Sequence, residues 1–388
     1  MPRWHHTGNL KDPYVSGSNR ASLVVMLGGV SGSALETLVR EALEASALDS
    51  IETALASGCF DRAFLLTDAA PTLDLPAGVE LVIDGGEFNF GSALTDVVAG
   101  HDIERLVYFG GGSGPLLTSD DFVALARGID GDSPVCVTNN FFSADLFAVA
   151  PASLLADLDP PPTADNGVPR RLKEEHGVEI EELPRTTATL VDIDTPIDLA
   201  ALSFVDAGAR LAALLGGASL DTERMARAAM VFTDRDLEVL VAGRVSSGTW
   251  QYLERETACR VRVLAEERGM GAAGRDAAGS ASSMLGQLIA SAGPSTFFSE
   301  LLPQLCDAAF IDIRPALVEL GLTPSRADRF AADVGRSDEI VDDGLRELVE
   351  AANASPVPVV LGGHSLVSGV LRLLNDWAWE QHDRALGL

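Results

Sequence analysis

The chain has 388 residues, 47% of them hydrophobic, with 57 acidic against 28 basic side chains and a formal net charge of −29. That length is enough for two domains with their own cores, and the hydrophobic share excludes a disordered chain. The charge argues against nucleic-acid and anionic-membrane partners, both of which need a basic footprint.

Residues 1–20 are polar, carry Trp4, His5 and His6 but no apolar core, and read as a flexible N-terminal arm. From 21 to 205 strand and helix patterns alternate. Residues 23–27 form a wholly apolar run ending in Gly28-Gly29, as expected of a central parallel strand. Residues 33–57 carry leucines and Ile51 at helical spacing. Further strands are predicted at 63–67, 80–83, 105–109 and 134–138. The three prolines at 160–162 make a stiff connection. Residues 190–193 read as the end of a short buried strand, and a helix follows with Thr195 as N-cap and Pro196 at its first position.

After 205 the texture changes. Residues 206–256 are helix-rich, 259–264 is a short strand, and the small-residue stretch 271–283 reads as a flexible loop. Helical patterns recur at 294–305, 315–320, 326–334 and 343–352. An extended segment at 357–361 leads to Gly362-Gly363-His364-Ser365, and a last amphipathic helix covers 366–380. The expected class is α/β: a three-layer, mainly parallel sheet over 21–205 and a second, mainly helical domain over 206–388. An oligomer through the helical domain is compatible with this plan. Cys59, Cys136, Cys259 and Cys306 form no C-x-x-C pair and suit buried positions in a reduced cytoplasm. No apolar run reaches the ~18 residues of a membrane helix.

The chemistry collects at predicted strand ends, where ligands bind in open α/β sheets. The loop Gly28-Gly29-Val30-Ser31-Gly32 could bring backbone N–H groups and a helix N-terminus to a phosphate, although neither the G-x-G-x-x-G nor the Walker spacing is met. Phe109-Gly110-Gly111-Gly112-Ser113-Gly114 is dense enough in glycine for a pocket wall, or for a close crossing of segments. Asn139 and Asn140 offer donors and acceptors beside Phe141 and Phe142, which suit stacking on a base or packing in the core. Asp192 and Asp194 can hold a hard cation such as Mg²⁺; in the plainer reading Asp194 and Asp198 only cap the next helix. Asp312 and Arg314 are spaced for a partly buried ion pair; His364 reads as a helix-capping or core-satisfied imidazole or, with Glu267, Asp312 and Arg314, as part of a working site in the second domain.

Glycine loop after an apolar strand, Gly-x-x-Pro-Leu-Leu ahead of an acidic helix start, Asn-containing strand end, then Asp192-Ile193-Asp194-Thr195-Pro196-Ile197-Asp198-Leu199: this order resembles the nucleotidyltransferase-like domain of the molybdenum-cofactor guanylyltransferase and phospholactate guanylyltransferase group. The resemblance covers about residues 21–204. It implies a glycosyltransferase-A type, nucleotide-diphospho-sugar transferase-like fold that binds a nucleotide or nucleotide-sugar and, with Mg²⁺ at Asp192 and Asp194, transfers a nucleoside monophosphate to a phosphorylated acceptor. Gly28, Gly29, Ser31, Gly32, Gly112, Ser113, Asn139 and Asn140 would then line the nucleotide site. Two departures matter. The stretch 28–36 has no basic residue, and Ser113 stands where the group carries a metal-binding aspartate. They leave Asp192, Asp194 and Asp165 as possible metal ligands, and they support the alternative of a non-catalytic nucleotide sensor or assembly protein.

Overall fold

The computed structural model describes residues 20–28, 32–84, 88–271, 273–275 and 277–388. The N-terminal arm apart from Arg20, and Gly29 and Ser31 of the first glycine loop, lie outside the described residues. The first sheet contains β1 (Ala21–Leu27), β2 (Phe60–Thr67), β3 (Val79–Ile83), β4 (Leu106–Gly110), β5 (Val135–Thr138), β6 (Leu146–Ala150) and β7 (Glu179–Glu182). Their spatial order is β3-β2-β1-β4-β6-β5-β7. Only β6 runs antiparallel to its neighbours; all other pairings are parallel. The mainly parallel sheet is therefore as expected. Sequence pattern does not reveal β7, an edge strand of Glu-Ile-Glu-Glu whose charges suit a sheet border and hide its periodicity.

Helices cover both faces. Leu48 and Ile51 of the helix Ala34–Ala56, with Phe122 and Leu125 of Ser119–Gly128, pack against one side. Leu94 and Val97 of Phe90–Gly100, with Leu172 of Val168–His176, pack against the other. Each fully buried leucine or phenylalanine contributes about 1.5–3 kcal/mol relative to exposure.

The second half is mainly helical, as expected, and a sheet organises its helices. Helix exceeds strand over 206–388, but the helices surround a four-stranded, all-parallel sheet. Its strands are β8 (Glu238–Gly243), β9 (Arg260–Ala265), β10 (Ala308–Asp312) and β11 (Val359–Gly362), in the order β11-β10-β8-β9. The strand β8 is a short apolar run inside helical neighbours, where periodicity cannot separate strand from buried helix. One apolar cluster contains Leu35 and Val39 from the first long helix, Ile197 and Leu199 from the helix Pro196–Leu202, and Phe310, Leu361 and Leu371 from the second half. The two halves thus share a core. Among the described residues no helix is long and apolar enough to cross a membrane.

The segment 190–193 is corrected. Leu190 closes a short helix, Thr187–Leu190, and Asp192 makes a single antiparallel bridge to Ser113 in place of a strand. The Ile193 N–H donates to the Gly112 carbonyl at 3.0 Å.

Candidate functional site

In the first sheet β1 lies between β2 and β4, so the chain reverses its direction of travel across the sheet there. Crevices at such switch points, outside the carboxyl ends of the strands, are where open α/β sheets bind ligands. A cavity of about 410 Å³ lies at this place, lined by Gly28, Phe88, Phe90, Tyr108, Gly110 and Asp165 among others. Its size is within the usual range for small-molecule sites.

Carboxylates gather around this crevice. The Tyr108 hydroxyl donates to Asp165 Oδ2 at 3.0 Å. Burial, then the Asp165 charge, push the Tyr108 phenol well above its ordinary value, so it stays a donor. Burial raises Asp165 as well, with the Tyr108 bond opposing. Asp145 is raised to about 7, chiefly by burial, although Asn139 Nδ2 donates to it at 3.2 Å. Burial and then the Asp194 charge push Asp192 well above the usual carboxylate range. Its Oδ1 is buried and has no hydrogen-bond partner among the described residues. Burial raises Asp194 too, with a hydrogen bond to Asp192 and then the Arg244 charge opposing. The Asp194 side chain is nonetheless solvent-exposed, so the crowding that raises it comes from the protein on one side only.

The turn carrying these acids is built by Asp198. Pro196 opens the helix Pro196–Leu202 behind Thr195, as the sequence predicts. Asp198 Oδ2 accepts the N–H groups of Asp194 at 2.9 Å and Thr195 at 2.7 Å, and the Thr195 hydroxyl at 3.1 Å. Its Oδ1 accepts the Ser365 hydroxyl from the second half at 2.6 Å. Asp198 is fully buried, and burial followed by the Asp194 charge raises it to about 7.

The residues singled out in the sequence separate into distinct places. Gly28 lines the cavity. Gly32 precedes the cap Ser33, whose side chain and that of Glu36 close the start of the first helix. Ser113 is buried against Asp192 through the bridge. Asn139 is buried with its amide fully engaged: Nδ2 donates to Thr189 O and Asp145, and Oδ1 accepts from the backbone of Asp145 and Leu146. It therefore holds Asp145 in place. Asn140 Oδ1 accepts the Phe142 N–H at 3.1 Å, a local turn. Phe142 is 74% exposed and Phe141 lies over Lys173, so neither is a core residue in the manner of Phe109. With Asp145, Phe88 and Phe90, Tyr108 is a site residue that sequence reasoning missed. Its place two residues before the glycine loop, at the end of an apolar strand, was the available signal. The expected Asp312–Arg314 pair is corrected: Asp312 binds Arg244 at 2.6 Å, and Arg314 binds Asp333 at 2.6 Å. An extended register could not anticipate partners 68 and 19 residues away.

Gly112 has a demonstrable role. A Cβ there would lie 2.7 Å from the Ile193 carbonyl oxygen and 3.0 Å from Asp192 Oδ1. Gly112→Ala is expected to cost about 1–3 kcal/mol, read as a lowered denaturant midpoint. An unchanged midpoint would mean that the two segments can separate freely.

No protein-family model and no curated protein matches the chain. Among solved structures it is similar to a cytidylyltransferase from Leptospira borgpetersenii, at 15% identity over 51% of this chain and 92% of that one, with a TM-score of 0.36. A provisionally assigned nucleotide-diphospho-sugar transferase from Desulfovibrio desulfuricans matches at 12% identity over 50% and 96%, with a TM-score of 0.36. A 4-diphosphocytidyl-2C-methyl-D-erythritol synthase from Anaerococcus prevotii matches at 12% identity over 46% and 94%, with a TM-score of 0.34. At such identities and scores the likeness carries no inference about activity.

Proposed function

We propose that the first half binds a nucleotide in the crevice at the β1/β4 switch point and, with a divalent cation, transfers its nucleoside monophosphate to a phosphorylated acceptor. The observation that carries this reading is a ligand-sized cavity walled by Tyr108 and Asp165, with the charge of Asp192 acting on Tyr108 from behind that wall and its buried Oδ1 without a partner among the described residues. Phe88 and Phe90 offer aromatic surface for the base. Arg40, about two helical turns past the glycine loop, lines a crevice with Gly28 and Asp68 and supplies the cation that the loop itself lacks.

The donor set fits a hard ion. Mg²⁺ characteristically takes one or two protein carboxylates and completes its shell with phosphate and water oxygens. Among the described residues no group of three or more His, Cys, Asp or Glu is arranged to hold a metal, so the protein would supply only Asp192 and Asp194. The ion would offset charge on the transferring phosphoryl group. In the reaction an acceptor phosphate oxygen bonds to the α-phosphorus, the bond from that phosphorus to the bridging oxygen breaks, and pyrophosphate leaves with the electron pair. The chain's own contribution is to orient the triphosphate and keep the Tyr108 proton directed at Asp165.

Isothermal titration with CTP and GTP, with and without Mg²⁺, tests the reading. Asp192→Asn is expected to remove the Mg²⁺-dependent part of nucleotide affinity, about tenfold or more. Absence of nucleotide binding to the wild type under every condition would sink it. Mg²⁺ alone should raise the thermal midpoint at pH 8 more than at pH 5, because bound carboxylates must be ionised. The buried Ser113, in place of an acid, favours a second reading in which nucleotide is bound and not turned over. Pyrophosphate release with any triphosphate and phosphorylated acceptor would exclude that second reading.

A further inference from the structure

The second sheet has its own switch point. β8 lies between β9 and β10, and the segments leaving the carboxyl ends of β8 and β10 begin with Arg244 and with Ile313-Arg314. A cavity of about 530 Å³ opens there, with Arg244, Arg314 and Arg329 on its wall beside Met270, Leu317 and Leu322. In a chain of net charge −29, three guanidinium groups around one cavity need an explanation.

Two of the arginines are anchored from below. Arg244 Nε and Nη2 donate to the two oxygens of the buried Asp312 at 2.6 and 3.1 Å. Gly243 makes this approach feasible: its φ is +118°, and a Cβ would lie 2.4 Å from that of Asp312. Arg314 Nη2 donates to both oxygens of the buried Asp333 at 2.8 and 2.6 Å. Its Nη1 is buried and has no partner among the described residues. Arg329 donates only to the Pro324 carbonyl, at 2.9 Å, and has no carboxylate within ion-pair distance among the described residues. The acids on adjoining segments are turned to other donors. Glu266 accepts from Ser283 and Leu285, and Glu319 accepts the Ser283 N–H. Burial, then Arg244, lowers the His364 imidazole to about 4, so this histidine adds no charge near neutral pH.

We propose that this cavity is a second ligand site, which takes a small molecule carrying a phosphate group. Arg329 and the N–H groups that the aspartates leave unused on Arg244 and Arg314 suit phosphate oxygens, and Asp312 and Asp333 hold those two arginines in position before any ligand arrives. The volume exceeds that of a bare phosphate, and the apolar wall of Met270, Leu317 and Leu322 suits an organic body attached to it. The inference does not rest on the nucleotide reading of the first half.

The test is isothermal titration of the full chain with inorganic phosphate, glycerol 3-phosphate, glycerol and lactate. Saturable binding of glycerol 3-phosphate is expected, weakened by salt, with none for glycerol. Arg329→Ala should weaken it about tenfold or more, and Arg329→Lys should restore part of the loss. Arg329 bonds only a backbone carbonyl, so an unchanged thermal midpoint would exclude misfolding of the alanine variant. Asp192→Asn should not weaken glycerol 3-phosphate binding, which keeps failure of the two sites distinguishable. No saturable binding of either phosphate compound to the wild type, equal binding by Arg329→Ala, or tighter binding of lactate than of the phosphates would each overturn the proposal.

Discussion

Gly369→Ala is expected to destabilise the protein by about 3 kcal/mol or more, the upper end of what overpacking does in a well-filled core. Gly369 opens the last helix, Gly369–Leu386, where it lies against the segment that leads into Asp192. A Cβ there would lie 2.2 Å from the Leu190 carbonyl oxygen, 2.5 Å from the Leu190 carbonyl carbon and 2.7 Å from the Val191 nitrogen. Non-bonded heavy atoms prefer separations of roughly 3.5–4.0 Å. All three neighbours are backbone, so no side chain can rotate away. Either the helix withdraws, taking the buried Val370, Leu371 and Leu374 with it, or residues 190–191 move and shift Asp192. Denaturant unfolding reads the first effect, and weaker nucleotide or Mg²⁺ binding reads the second. Gly216 is the control: nothing lies within 4 Å of a Cβ there, it sits in the helix Ala209–Gly217, and alanine should be neutral or stabilising by up to about 1 kcal/mol. Equal stability of Gly369→Ala and Gly216→Ala would show that the helix and the Leu190 segment are not closely packed.

The second large effect belongs to Asp198. Its carboxylate accepts four hydrogen bonds while fully buried, and one of them comes from Ser365 across the shared core. Asp198→Ala leaves those donors without a partner and is expected to cost about 3 kcal/mol below pH 4, a cost that shrinks as pH rises towards 7. The wild type also carries a pH signature. Asp198 and Asp145 are both raised to about 7 from an ordinary value near 3.8. Between those values the folded chain holds protons that the unfolded chain has released. Their contribution to stability is therefore full below about pH 4 and is lost as pH rises through 7, opposite in direction to that of a salt-bridged carboxylate. Without divalent cation, unfolding free energy should fall from pH 5 to pH 8. Asp198→Asn, which cannot titrate, should flatten part of that fall. A wild-type stability that rises steadily over the same interval would refute the assignment.

Much of this organisation could be read in advance, and the reasons are local. Apolar runs at 23–26 and 106–109 are central strands because both faces of them are buried, so composition alone marks them. Thr195-Pro196 begins a helix because the fixed φ of proline suits the first turn. The edge strand Glu179–Glu182 escaped because one exposed face and a row of charges leave no apolar period. Strand β8 escaped because six residues are too few to tell a strand from a buried helical turn.

By itself the sequence determined the layered α/β plan of residues 21–205, the helix start at Thr195, and the presence of carboxylates at the end of that segment. Each depends on residues within a few positions of one another. Only the tertiary structure decided which acids meet. Asp192 joins Ser113 through one bridge, Asp165 reaches Tyr108 from 57 residues away, and Ser365 reaches Asp198 from 167 away. It also decided that Arg244, Arg314 and Arg329 share one cavity, because parallel strands bring the first two to a common edge and the helix Arg326–Asp333 packs the third beside them. Local spacing sets the shape of a segment; the charges that it faces are set by the chain's return from far away.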